Sequence, residues 1–167
     1  RRRRMRAGWV DVWRALASRD IQASDEGAEE MVERWRKLAR RLDSGEAGPP
    51  DPLLDHVLES LSPDHTAMDV GAGIGRWTIP LARKARHVTA VEPLEGMRKV
   101  LAERIAARGV ANVEVVDAPW GRAEVSAHDV VVAAHATYAT PDLLGFVEKM
   151  EQCARRICYL VLRLPAH

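Results

Sequence analysis

Seven consecutive residues, Asp69-Val70-Gly71-Ala72-Gly73-Ile74-Gly75, carry the densest chemical signal in this chain of 167 residues. They follow a short apolar run and lead at once into Arg76-Trp77-Thr78 and a helical pattern. Glycines in a strand-to-helix turn let the backbone approach a ligand with no Cβ in the way, and the helix start offers free N–H groups. The spacing is Gly-x-Gly-x-Gly. A dinucleotide fingerprint needs its third glycine at position 76, where Arg76 stands, and rarely carries an acid such as Asp69 inside the strand. Glu92 closes the next apolar run, about 20 residues after the first glycine, where a carboxylate can accept both hydrogen bonds of a ribose diol. The combination points to a ligand carrying a nucleoside.

The elements that must position these residues fall into two groups meeting near residue 50. Before it, Trp9, Val12, Trp13 and Leu16 recur at helical spacing, as do Met31, Trp35, Leu38 and Leu42, with Ser24 or Asp25 as an N-cap for the second helix. The glycines and prolines of residues 44–50 read as a linker, and Pro52 opens a third helix. After Pro63, apolar runs at 67–70, 88–91, 113–116, 130–134 and 157–162 alternate with helical stretches at 79–84, 97–107 and 143–153. Strands apolar at nearly every position are buried on both faces, and their alternation with helices is the βαβ signature. The expectation is an α/β, Rossmann-like, doubly wound and mostly parallel sheet with helices on both faces. Residues 1–50 form a helical cap and residues 51–167 the ligand-binding domain.

The chain carries 25 basic and 24 acidic residues, so its net charge of +1 supplies no overall field for nucleic acid or an anionic membrane. No apolar run approaches the roughly 20 residues of a membrane span, and no h-region follows the basic start Arg1-Arg2-Arg3-Arg4, so no signal peptide is expected. Cys153 and Cys158 match no zinc or redox spacing and suit a reducing cytoplasm. His56, His65, His87 and His128 are scattered and adjoin no carboxylate cluster, so no metal site is read from them.

Residues 67–75 resemble motif I of the class I S-adenosylmethionine-dependent methyltransferases, and Ala90-Val91-Glu92-Pro93-Leu94-Glu95-Gly96-Met97 resembles motif II. The resemblance, nearest to the small-molecule group labelled methyltransferase type 11 or 12, spans residues 53–164. It implies S-adenosyl-L-methionine as cofactor and S-adenosyl-L-homocysteine as product. It further implies a glycine loop (Asp69, Gly71, Ala72, Gly73, Gly75) against the methionine part and Glu92, followed by Pro93, on the ribose. Leu94 and Met97 would flank the adenine. Val115-Val116-Asp117-Ala118 matches the third motif, which assigns the adenine amino group to Asp117 and the ring to the Ala118 backbone. Trp120 either joins that apolar surface or packs in the core. The family's sheet has seven strands, whereas five are counted here. The sheet edge left after the fifth implies a missing C-terminal part or a covering partner such as a second copy in a homodimer.

Methyl transfer is an in-line displacement, so the protein chiefly aligns the acceptor, excludes water and, where needed, removes a proton. The end of the fourth strand, Ala133-Ala134-His135-Ala136-Thr137-Tyr138, is where acceptor-handling groups are expected. His135 is a candidate general base or orienting group and Tyr138 a candidate for positioning a polar group. The Asn/Asp-Pro-Pro-aromatic motif of amino-directed DNA methyltransferases is missing here, and neither cysteine lies where a pyrimidine C5 nucleophile is expected. With the low charge and a short helical cap (a candidate lid) in place of a recognition domain, the expected acceptor is a small molecule, with no nucleic acid and no membrane as partner. Two alternatives stand beside it: a non-catalytic cofactor-binding module and an NAD-dependent oxidoreductase.

Overall fold

The computed structural model describes residues 8, 10–15, 17, 28–43, 51–138 and 140–163. The expected N-cap at Ser24 or Asp25, the linker at 44–50, Trp9 and Leu16 lie outside the described residues, as do the side chains of Met31 and Leu42. Residues 10–15 are helical, and a longer helix follows, α1 (Ala28–Asp43). Then come α2 (Pro52–Glu59), β1 (Thr66–Val70), α3 (Thr78–Lys84), β2 (His87–Val91), α4 (Glu95–Ala107), β3 (Val113–Val116), β4 (His128–Ala134), α5 (Leu143–Cys153) and β5 (Ala154–Val161).

Helix ends follow local chemistry. Asp51 caps α2 by accepting from the Leu54 N–H at 3.3 Å, with Pro52 at the first helical position, where no N–H is needed. Asp142 caps α5 by accepting from the Gly145 N–H at 3.1 Å. The C-terminal end of α3 is closed by Asn112, whose amide donates to the carbonyls of Ala82 and Ala85 at 2.8 and 2.9 Å.

All strand pairs are parallel, in the order β3-β2-β1-β4-β5. The order reverses between β1 and β4, the topological switch point at which sheets of this kind bind ligands. Alternate residues of β4 serve opposite faces. Val130 and Val132 pack with Val57, Trp77 and Leu81, while Val131 and Ala133 pack with Met68, Phe146 and Met150. That division explains why the strand is apolar at every position from Val130 to Ala134 rather than at every second one.

Within the described residues β5 pairs on one side only, with β4, and Ile157 on it is 38% exposed. Helix α1 lies against α4 so closely that a Cβ on Gly96 would fall 2.7 Å from Val32. Ala39 of α1 is buried with Ile74, Met97 and Val100, whereas Trp35 remains 37% exposed. No helix among the described residues is long and apolar enough to cross a membrane.

Candidate active site

The glycine loop leaves β1 as three left-handed residues, Gly71, Gly73 and Gly75, at φ +75°, +55° and +82°. Their surroundings differ. A Cβ on Gly71 would collide with Ala136, and one on Gly75 with Leu101, so both are places of close packing. A Cβ on Gly73 would meet nothing within 4 Å, so the middle of the loop faces open space. Gly71 and Ala72 both donate to the Val91 carbonyl, at 2.8 and 3.0 Å, which ties the loop to the end of β2.

Glu92 completes that tie. One oxygen accepts from the Gly73 N–H at 2.8 Å and the other from the Leu94 N–H at 2.9 Å, while the residue is 5% exposed. Burial raises its pKa, and the two amides and the nearby Arg98 charge oppose that. A carboxylate has about four lone-pair sites, so each oxygen keeps one after these bonds.

Asp69 lies behind the loop, 2% exposed, accepting from the Thr78 hydroxyl at 2.6 Å. Desolvation, helped by the negative charge of Glu92, pushes its carboxyl up to about 6, against the hydrogen bonds from Thr78. The side chain therefore anchors the start of α3. From α4, buried Arg104 donates to the Ile74 carbonyl and fixes the loop from its other flank.

Around the end of β3, Asp117 is exposed and accepts from Arg98 at 2.7 Å, and Arg98 also donates to the Glu92 carbonyl at 3.0 Å. Arg98 thus links the ends of β2 and β3. Leu94 is 45% exposed beside it, whereas Met97 is buried against Ala39 and Ile74. Ala118 is partly buried against the core, and Pro93 is exposed. Trp120 sits in a single 3₁₀ turn (Trp120–Arg122) inside the core. Its indole N–H donates to the Phe146 carbonyl at 3.0 Å, and the Lys149 ammonium lies 4.6 Å from its ring centre. Of the two expectations for Trp120, the structure has the packed one.

On the far side of the loop, Ala136 abuts Gly71, so the segment after β4 lies beside the glycine loop. His135 adopts φ +58°, unusual for a residue with a side chain, and its N–H donates to the Val161 carbonyl at 2.9 Å. Its Nδ1 lies 3.0 Å from the Tyr138 hydroxyl, which accepts from the Arg163 N–H at 2.6 Å. Partial burial, then the positive charges of Arg163 and Arg76, lower the His135 pKa, with Asp51 acting the other way. Thr137 is fully buried, and its hydroxyl has no hydrogen-bond partner among the described residues. Trp13 reaches this segment from the N-terminal helical stretch, donating to the Thr140 carbonyl at 2.8 Å.

Arg98, Arg104, Thr78 and Trp13 are the members that motif reading misses. Arg104 had a signal, falling four residues after Val100 and three after Leu101 on the buried side of α4. The Arg98 and Trp13 bonds join residues distant in sequence and left none.

Residues 67–156 match the methyltransferase domain family. The chain belongs to that family. A 23S rRNA (uracil(1939)-C(5))-methyltransferase of Methylococcus capsulatus is 32% identical over 118 residues, covering 65% of this chain and 26% of that protein. Among solved structures, a SAM-dependent methyltransferase from Aquifex aeolicus aligns with TM-score 0.58 at 24% identity, over 74% of this chain and 69% of the other. A Streptococcus mutans protein solved in complex with S-adenosylhomocysteine aligns with TM-score 0.54 at 16% identity, over 65% and 69% of the two chains. The chain spans between 15% and 51% of the length of the curated relatives it matches.

Family membership sets aside the NAD-dependent oxidoreductase and makes S-adenosylmethionine the cofactor. The expectation of a small-molecule acceptor with nucleic acid excluded is corrected, because a ribosomal RNA methyltransferase stands among the relatives. A net charge of +1 averages the whole chain and is blind to local arrangement, and recognition of a large acceptor can reside in parts of a longer protein.

Proposed function

We propose that this domain binds S-adenosylmethionine across the carboxyl ends of β1 to β3 and methylates an acceptor held at the end of β4. The observation that carries the reading is Glu92, which joins Gly73 to Leu94 and keeps a free lone pair on each oxygen. The residues fit the cofactor. Gly73 leaves open the space that a side chain would fill, Glu92 offers two acceptors to a ribose diol, and Asp117 retains Oδ1 for an amino group. Leu94 supplies exposed apolar surface next to them, and Gly71, Ala72 and Gly75 shape the backbone around the methionine part. Asp69 acts at one remove through Thr78.

The bound cofactor supplies an activated methyl group and its own leaving group, so the acceptor bond forms as the carbon–sulfur bond breaks. The chain's task is alignment and exclusion of water. His135 and Tyr138 orient the acceptor, and the described helical residues 10–15 and α1 act as a cap beside it, supported by the Trp13 bond to Thr140 and the docking of α1 on α4. Ribosomal RNA, the substrate named for the curated relative, is the acceptor class this reading adopts. The Arg163 charge beside His135 suits a phosphate backbone, whereas Arg76 is paired with Asp51 at 2.9 Å. Both described cysteines are free thiols, in keeping with a cytoplasmic protein.

The test is transfer of tritiated methyl groups from S-adenosylmethionine to in vitro transcribed ribosomal RNA. Incorporation that is lost in Glu92→Ala supports the reading. A cofactor-binding protein that labels no RNA transcript contradicts the acceptor class and favours the non-catalytic module.

A further inference from the structure

We propose that Tyr138 holds His135 as the tautomer protonated on Nε2, so that the site offers its acceptor a hydrogen-bond donor rather than a base. The inference rests on the placement of the acceptor at the end of β4. It follows from counting protons along one short chain of contacts. The Arg163 backbone N–H can only donate, and it meets the Tyr138 oxygen at 2.6 Å. That leaves the single phenolic proton to point elsewhere, and the Nδ1 of His135 stands 3.0 Å away. Donated to Nδ1, that proton makes Nδ1 the acceptor and places the proton of a neutral imidazole on Nε2, at the opposite edge of an exposed residue. The reverse assignment, Nδ1–H donating into the second lone pair of the phenol, would leave the phenolic proton without a partner among the described residues.

The backbone makes this arrangement hard to undo. His135 is held at φ +58° by its own N–H to Val161, and Arg163 stands two residues further on, just past the end of β5. The ends of β4 and β5 are thus clamped by two bonds, His135 to Val161 and Arg163 to Tyr138. The two rings lie nearly parallel, with an interplanar angle of 16°. The charged groups acting on the imidazole are Arg163 after β5, Arg76 before α3 and Asp51 before α2. Arg76 and Asp51 pair with each other at 2.9 Å, so partial burial and then the Arg163 charge favour the neutral ring, which keeps Nδ1 available to Tyr138.

A fixed Nε2–H recognises a lone pair. The acceptor class is accordingly one that presents a carbonyl oxygen or an unprotonated ring nitrogen close to the atom that is methylated, as nucleobases do. Tyr138 is a positioning residue in this scheme, and His135 a specificity-determining one. Any proton lost by the nucleophile leaves to bulk solvent after methyl transfer rather than to His135.

Two measurements test this on the full chain. Long-range proton–nitrogen correlation of the histidine rings, assigned with His135→Gln, should show an unprotonated Nδ1 and a protonated Nε2 in wild type near neutral pH. Tyr138→Phe should give a mixture of tautomers. A protonated Nδ1 in wild type, or an unchanged ring in Tyr138→Phe, overturns the proposal. With tritiated methyl transfer to transcribed ribosomal RNA, His135→Gln, whose amide nitrogen replaces Nε2, should stay within about threefold of wild type. His135→Asn, whose nitrogen replaces Nδ1, should lose about tenfold in kcat/KM. Equal losses in both variants also overturn it. Absence of transfer by wild type contradicts the proposed function instead, and the tautomer measurement then decides this inference alone.

Discussion

The carboxylate of Glu92 holds the amide of Gly73 at 2.8 Å, across 19 positions of sequence and between two different strand ends. With Leu94 on its other oxygen, Glu92 makes the glycine loop and the exit of β2 one rigid unit. Glu92→Gln keeps one acceptor oxygen but brings an amide against a backbone N–H. We expect it to fold, to lose roughly 1–3 kcal/mol of stability, and to bind S-adenosylhomocysteine more weakly. Chemical denaturation and calorimetry check both effects.

Gly71 and Gly73 should respond differently to alanine. Gly73→Ala meets only the cost of a left-handed conformation, about 1–2 kcal/mol, yet fills the space assigned to the cofactor. Gly71→Ala adds a collision with Ala136 and should lose roughly 2–5 kcal/mol. Comparison of unfolding midpoints with cofactor affinity separates them: Gly73→Ala is the variant expected to stay folded and not bind.

Asp69 makes stability depend on pH. Its folded-state pKa is raised to about 6, so the folded protein favours the protonated acid. The associated stability is complete below the ordinary aspartate value of about 3.9 and is lost as pH rises through 6, by about 3 kcal/mol in all. The stability difference between wild type and Asp69→Asn should therefore shift in favour of the variant from pH 4 to pH 7. A difference that is flat across that range contradicts a buried, desolvated carboxyl.

Arg104→Met should loosen the loop without touching the cofactor. Removing a charge-assisted bond to the Ile74 carbonyl is expected to cost roughly 1.5–3 kcal/mol, read as faster amide exchange at residues 71–75.

How much of this was legible in the sequence varied with the range of the interaction. The three inner strands are legible as apolar runs because residues such as Val130 to Ala133 are buried on both faces. The edge strands β3 and β5 keep apolar runs although Val115 and Ile157 are exposed, and the loop is legible because only glycine suits its three left-handed positions. Placements that depend on distant partners were not visible. Met97 fits a motif by position, but Ala39 and Ile74 enclose it. Trp120 was equally compatible with a ligand wall or the core until Phe146 and Lys149 were seen against it. The exclusion of nucleic acid failed for a physical reason: a net charge is a sum over the whole chain and is blind to where the charges stand.

Isothermal titration of the folded chain with S-adenosylhomocysteine, beside Glu92→Ala, tests the central claim most directly. The expected result is saturable one-to-one binding by wild type that the variant loses while its circular dichroism is unchanged. A folded wild-type protein that binds no S-adenosylhomocysteine, or a variant that binds as well as wild type, would contradict the assignment of this loop and Glu92 as the cofactor site.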